Sequence, residues 1–418
     1  MGQLIYILFV RLYPLAVRFV SPFNEKARRW VRGRKNIVRT IKFRLATENR
    51  ERIWFHAASL GEFEQGKPVI ERIKQKYPEY CVILTFFSPS GYDNARDYPY
   101  ADHIFYLPMD SFIHSYRFFR LVKPKLIFFI KYEFWYYYLK RAWKKQIPIF
   151  LISAVFRTDQ PFFKWYGGFH RRMLNCFTHL FVQDAESEKL LNNIDFNRVS
   201  ISGDTRFDRV LELKSARKDF PLIEAVSLQT FTVVAGSTWT DDDKVLNHFV
   251  TTHPDIFFII APHDIGEERL AECEKLYRNT IRYSQTYGLS NLPEGINTII
   301  IDNIGLLIYL YRYGNITYVG GGFGGDGVHN VLEPAVFGKP VIFGPVYQKF
   351  IEATDLIKAN GATSVMDAVE LEDSLNDLIL NENLRLEMGA KAENYVIKMA
   401  GATEEILDYI EANRLFTN

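Results

Sequence analysis

The sequence predicts an α/β protein built from two consecutive Rossmann-like domains that face a cleft, and three observations predict it. Short apolar runs alternate with amphipathic stretches, the pattern of right-handed βαβ units on a parallel sheet. The alternation pauses in a charged region around residues 212–221 and then restarts. The chain, at 418 residues, is also longer than one core usually fills and fits two domains of about 150–200 residues each.

In the first half, strands are expected at 53–57, 81–87, 103–107, 126–130, 149–153 and 180–183. Helices are expected at 62–77, 90–98, 111–122, 136–146, 162–176 and from 185. In the second half the strand-like runs are 231–235, 256–261, 298–301, 316–319 and 341–343. Helices at 241–253, 267–277, 305–313 and 331–337 fall between them, and closing helices begin near 371. The expected domains are 24–212 and 213–418, preceded by an apolar helix at 1–23; the last helix is able to pack back on the first domain. Ligands of such sheets collect at the carboxyl ends of the strands.

Residues 1–23 are almost wholly apolar apart from Arg11 and Arg18. Positive charge follows the apolar run rather than preceding it, and no small-residue cleavage site appears, so a secretory signal does not fit. Arg11, Pro14 and Arg18 interrupt a stretch that would need about 20 apolar residues to span a bilayer. A helix lying in the membrane interface, or a weak single span, fits it; a helix packed on its own domain with its arginines solvated is the alternative. Net charge is only +2, yet Lys26, Arg28, Arg29, Arg32, Arg34, Lys35, Arg39, Lys42 and Arg44 crowd one segment beside a single Glu25. Such a segment belongs on the cytoplasmic side of a membrane and attracts anionic headgroups. Three scattered cysteines (Cys81, Cys176, Cys273) exclude a disulfide framework and show no zinc-ligand spacing.

The richest motif runs from Tyr318 to Pro345. A short strand enters a glycine cluster that includes Gly321 and Gly322, followed by His329, Asn330, Val331, Leu332 and Glu333 at a helix start. Glycines permit close backbone approach to a ligand, a helix start offers N–H groups to an anion, and Glu333 suits a ribose diol. A nucleotide site is expected there. Ser59-Leu60-Gly61-Glu62 follows the first strand; Glu62 is either a general base or a first-turn glutamate complementing the helix dipole. Ser88-Pro89-Ser90-Gly91 is a turn and N-cap whose hydroxyls could meet a sugar. Glu133, beside Lys131 and Trp135, either orients a sugar or pairs with Lys131. Arg206 could reach a phosphate by bidentate pairing. Ser237 and Thr238 form a second small-residue anion turn, while Pro262 with His263, and Ile304-Gly305-Leu306, could frame a base. Asp241-Asp242-Asp243 reads as a capped first helical turn, not a metal site.

Taken in order, S-L-G-E, E-F-W, G-D-x-R-F-D, A-G-S-T, A-P-H, D-N-I-G and H-N-x-L-E-P resemble the bacterial 3-deoxy-D-manno-octulosonate (Kdo) transferases, from the apolar N-terminus to about residue 400. The resemblance implies a GT-B glycosyltransferase fold and lipopolysaccharide biosynthesis in a Gram-negative bacterium. It implies CMP-Kdo as donor, the lipid A precursor (lipid IVA) as acceptor and an N-terminal anchor at the cytoplasmic face of the inner membrane. It further implies inversion at the anomeric carbon with no metal or cofactor, and no nucleic-acid partner. By position, Glu62 matches the family's general base, and Glu133 and Arg206 match residues that stabilise the transition state. Pro262, His263, Ile304, Gly305, Leu306, Asn330, Val331, Leu332 and Glu333 match its CMP-binding segments. The family pattern has arginine at position 263, an acidic residue at 131 and asparagine at 204, where this chain has His263, Lys131 and Asp204. Alternatives are another GT-B enzyme that uses a UDP-sugar, such as a lipid A disaccharide synthase or an epimerase, and a noncatalytic membrane-bound nucleotide-binding protein.

Overall fold

Two seven-stranded parallel sheets carry the chain, one in each of the two units into which it divides. The computed structural model describes residues 2–216 and 218–416. The first unit takes the chain up to Arg209 together with the stretch from Ala400, and the second is Val210–Met399. The division therefore falls inside the helix Thr205–Ser215, slightly before the 212/213 boundary expected.

The first sheet contains β1 (Arg52–Ala57), β2 (Cys81–Phe86), β3 (His103–Tyr106), β4 (Pro124–Ile130), β5 (Ile149–Ala154), β6 (His179–Val182) and β7 (Val199–Ile201), in the order β3-β2-β1-β4-β5-β6-β7. The second contains β8 (Thr232–Thr238), β9 (Phe257–Pro262), β10 (Thr280–Arg282), β11 (Thr298–Ile300), β12 (Ile316–Val319), β13 (Val341–Phe343) and β14 (Ala362–Ser364), in the order β10-β11-β9-β8-β12-β13-β14. Near the centre of each sheet the strand order switches direction, between β1 and β4 and between β8 and β12. These are topological switch points, where an open α/β sheet leaves a crevice for ligand.

The strands form where both faces can be buried, which is why they read as near-continuous apolar runs. In β1, Trp54 joins one core layer with Ile83, Phe118 and Phe129, while Ile53, Phe55 and Ala57 join the opposite layer with Val69, Ile70 and Leu84. The closing helix Ala402–Ala412 adds Ile406, Leu407 and Ile410 to that second layer, and its start is held by Asp208, which accepts from Gly401 N (2.6 Å) and Thr403 N (2.7 Å).

Four helices make up the N-terminal part of the first unit: α1 (Gly2–Val20), α2 (Glu25–Arg34), α3 (Ile37–Arg44) and α4 (Leu60–Lys76). Helix α1 is long and apolar enough to cross a membrane by length and composition. It nevertheless lies along the first unit. Tyr6, Val10, Tyr13 and Val17, spaced three or four apart, pack toward Trp30, Phe87 and Trp135. The opposite face, with Leu4, Leu8, Leu12, Leu15 and Phe19, is exposed. The Tyr6 hydroxyl donates to Asp110 Oδ2 (2.5 Å) and accepts from Tyr136 N (3.1 Å), and Asp110 also accepts from Tyr137 N (2.9 Å). Arg34, counted within the basic segment, is turned inward: it donates to Phe87 O (2.6 Å) and Leu107 O (3.1 Å) and stacks on Trp30.

Burial lifts the Asp110 carboxyl from 3.8 to about 6, against the hydrogen bonds from Tyr6 and the Tyr137 and Tyr138 amides that favour its ionised form. A folded-state value above the unfolded one means that folding favours the protonated acid. This contribution is full below the ordinary value and is lost as pH rises through about 6. Wild type should therefore lose more stability than Asp110→Asn between about pH 4 and pH 7, measured as urea midpoints.

Three expected helices differ, and the one at 305–313 is the helix Leu307–Leu310 followed by a 3-10 turn at Tyr311–Tyr313. The single helix at 162–176 is a 3-10 turn at Pro161–Phe163 followed by the helix Gly168–Leu174. Gly167 and Gly168 interrupt it, and a Cβ at Gly167 would lie 2.0 Å from Pro161 O. The helix expected at 331–337 is the single turn Leu332–Ala335, which contains Pro334 and is followed by Gly338 in the left-handed region (φ 67°).

Candidate active site

At the switch point of the first sheet, β1 runs into Ala58-Ser59 and α4. Ser59 is the N-cap and Glu62 stands in the first turn. The spacing S-x-x-E is that of a capping box, in which each side chain bonds the other residue's backbone N–H. Here the Ser59 hydroxyl donates to Glu62 Oε2 instead, so the partly exposed carboxylate is not spent on the cap. Ser88 is tied alongside: its N–H donates to Ala58 O (2.7 Å) and its hydroxyl pairs with Ser90 Oγ (2.7 Å). A Cβ at Gly91 would lie 3.0 Å from the Ser59 carbonyl carbon, so this turn closes directly on the first. Gly61 is exposed.

Across the switch point, β4 is followed by Lys131, which holds a left-handed backbone (φ 68°) and aims the chain into Tyr132-Glu133. Buried Glu133 faces His56 Nε2 (2.9 Å) and accepts from Trp135 Nε1. His56 Nδ1 lies 3.0 Å from Thr85 O and 2.9 Å from Thr85 Oγ1, and Trp54 Nε1 donates to that hydroxyl (2.8 Å). A carboxylate only accepts, so the His56 proton sits on Nε2 and points at Glu133, while Nδ1 accepts from the Thr85 hydroxyl. Lys131 stacks over Tyr132, and the Glu133 contacts resolved are with His56 and Trp135. Glu133 thus stands in a buried relay, Thr85–His56–Glu133–Trp135. His56 and Thr85 carry no sequence signal beyond one histidine and one threonine inside apolar strands.

Arg206 follows β7. Its backbone N and Nε bond the two oxygens of Asp204 (2.9 Å each), and Gln65 Nε2 on α4 donates to Asp204 Oδ1 (3.1 Å). Burial alone would raise Asp204, but the guanidinium outweighs it and holds the carboxyl below its ordinary value. The planar fork of Arg206 is thus oriented from behind, through a residue one helical turn from Glu62. Ser153, at the end of β5, is a further left-handed residue (φ 53°) and bonds Thr205 Oγ1 (2.9 Å).

The second unit repeats the theme. Ser237 at the end of β8 is left-handed (φ 55°), and the ladder to β9 shifts register there. Strain of this kind costs of order 1–3 kcal/mol and clusters at functional positions. Thr238 is fully buried, and among the described residues its Oγ1 has no hydrogen-bond partner. Next to it, Trp239, His263 and His329 form a three-ring stack, with centroids 4.7 Å apart for Trp239–His263 and 4.3 Å for His263–His329. Trp239 Nε1 donates to His329 Nε2 (2.9 Å), which places the His329 proton on Nδ1. Burial, aided by nearby His263, lowers His329 to about 4, so it is neutral at physiological pH. Pro262 is the buried last residue of β9.

The glycine cluster differs from expectation in what uses it. Gly320 is packed by backbone: a Cβ there would lie 2.4 Å from Ser237 O. Gly321 is left-handed (φ 90°), and its N–H donates to Asp242 (2.8 Å), which also accepts from Tyr318 OH (2.8 Å). Gly322 packs on Gly344. These glycines therefore serve backbone packing, and Asp242 braces the loop from the first turn of the helix Thr240–Thr252. The four-residue helix Leu332–Ala335 has little dipole to offer an anion, and Asn330 Oδ1 already accepts from Leu332 N (3.2 Å). Asn330 Nδ2 donates to Glu333 Oε1 (3.0 Å), orienting a partly exposed carboxylate. Val331 and Leu332 are fully buried, so only their backbone can meet a ligand. Ile304 and Gly305 form an exposed loop after β11, whereas Leu306 is buried.

Asp243 accepts from Tyr277 OH (2.7 Å) and pairs with Arg269, which makes the acidic run structural. Away from these sites, Glu48, Cys81 and His103 converge at the opposite end of the first sheet, a grouping invisible in cysteine spacing. Arg50 already neutralises Glu48 (2.6 Å).

A family model described as 3-deoxy-D-manno-octulosonic-acid transferase (kdotransferase) matches residues 32–209. A 3-deoxy-D-manno-octulosonic acid transferase of Haemophilus influenzae is 25% identical over 384 residues, 86% of this chain and 88% of that one. One from Aquifex aeolicus is 28% identical over 340 residues, 78% of this chain and 86% of that one. The chain is thus similar to Kdo transferases over most of its length, and the family model matches its first unit. Among solved structures, a UDP-GlcNAc 2-epimerase from Neisseria meningitidis bound to UDP-GlcNAc aligns with a TM-score of 0.58 at 15% identity, over 86% of this chain and all of that one. MurG from Acinetobacter baumannii aligns at 0.53 and 13%, over 87% of this chain and all of that one. At that identity they establish the architecture alone, which is GT-B.

Proposed function

We propose that the protein transfers Kdo from CMP-Kdo to the lipid A precursor in lipopolysaccharide biosynthesis. Similarity to Kdo transferases supports the reaction class, and the observation that carries the assignment of roles is the Ser59–Glu62 pair at the first switch point. Glu62 takes the proton of a glucosamine hydroxyl while that oxygen attacks C2 of Kdo. The new C2–O bond forms as the bond to the CMP phosphate breaks, and the electron pair leaves with CMP. One displacement inverts the anomeric centre, and no metal or cofactor is invoked. Glu133 and Arg206 offset charge developing at the sugar. In the second unit, Ser237, Thr238 and His263 meet the phosphate, and Glu333, steadied by Asn330, takes the ribose hydroxyls. His263 supplies a titratable group where the family pattern has a permanent cation. The exposed apolar face of α1, with the basic residues of α2 and α3, holds the enzyme on the cytoplasmic face of the inner membrane.

The test is to incubate the purified protein with a CMP-Kdo generating system and the lipid acceptor and to weigh the product. A mass gain of one or more Kdo units is expected. No gain, or calorimetric preference for UDP over CMP, overturns the reading.

A further inference from the structure

Beside the Ser59–Glu62 turn, α1 and α2 enclose a groove of about 340 Å³ whose walls include Tyr13, Val17, Val20, Ala27, Trp30 and Phe87. At one end it reaches Ser88 and Pro89, the turn that packs on Ser59. Lys26 borders it, and Arg28, Arg29 and Arg32 follow on the same helix. The apolar surface also continues onto the exposed side chains Leu12, Leu15 and Phe19 of α1. A surface so made takes an apolar chain whose head is anionic.

Resting on the proposed transfer to a lipid acceptor, we propose that this groove takes one acyl chain of that phosphorylated lipid. The chain leaves the lipid layer and lies between α1 and α2, its phosphates meet the arginines of α2, and its sugar hydroxyl is delivered past Ser88 to Glu62. The groove then acts as a ruler for where the head group stops.

The experiment uses the full chain in detergent micelles with an acceptor carrying a diazirine midway along an acyl chain. Photolabel should fall on peptides containing Tyr13, Val17 and Trp30. Ala27→Phe, which fills the groove, should cut that label and lower the ratio of kcat/KM for acylated over deacylated acceptor by about tenfold, through KM. Label confined to Leu8, Leu12 and Leu15, or an unchanged ratio in a folded Ala27→Phe protein, overturns the proposal. Labelling in the groove without transfer to either acceptor would sink the transferase reading and leave the groove standing.

Discussion

Glu62→Gln should lower the transfer rate by about 10²–10⁴-fold, the range spanned by loss of a positioned general base. The amide keeps the size of the side chain and can still accept from Ser59, but it cannot take a proton from the acceptor hydroxyl. Stability should change little. Glu62 is partly exposed, and its complementarity to the helix dipole is worth about 0.3–1 kcal/mol. Single-turnover product formation beside a thermal melt separates the two effects. Ser59→Ala, which removes only the hydroxyl bonded to the carboxylate, should retain far more activity than Glu62→Gln. Near wild-type transfer by Glu62→Gln would remove Glu62 from the mechanism.

Glu133→Ala should instead be costly to the fold. Its carboxylate is the acceptor for Trp135 Nε1 and faces His56 Nε2, so truncation strands two buried groups at about 1–3 kcal/mol each. Glu133→Gln preserves an oxygen that accepts from the indole and from His56 Nε2 while deleting the charge. It should fold close to wild type and yet transfer about 10²-fold more slowly if Glu133 offsets positive charge at the sugar, as removal of one preorganised electrostatic group does elsewhere. A melt that drops for alanine but not glutamine, with activity low in both, is the expected pattern. Full activity in Glu133→Gln would leave the His56 relay a purely structural device.

How much of this was legible in the residues depends on where each element sits. Central strands such as β4 and β5 are buried on both faces, and their apolar runs marked them within a residue or two. Edge strands β7, β10 and β14 have three residues each and polar positions facing solvent, so no run forms and all three were invisible. The helix Ile351–Lys358 was likewise unread. At the sites, motifs announced the positions but not their uses. The glycines of 320–322 looked like a ligand cradle because sequence cannot distinguish close approach to a nucleotide from close approach to Ser237 or Gly344. His56 escaped because a histidine inside RIWFHA reads as core; only pairing β1 with β2 and β4 brings it between Thr85 and Glu133. The Trp239–His263–His329 stack joins three segments distant in sequence, so no local pattern encodes it.

Helix α1 is fixed to the first unit at Tyr6, Val10 and Tyr13 and does not trail from it. A trailing anchor would act as a leash and let Glu62 sample a hemisphere above whatever captured the helix. A welded one sets a single height and tilt. Reactants diffusing in the same layer would then be met in a plane, and the relevant concentration would be molecules per area, not per volume. Lengthening the chain between α1 and the body would trade that geometric gain for reach.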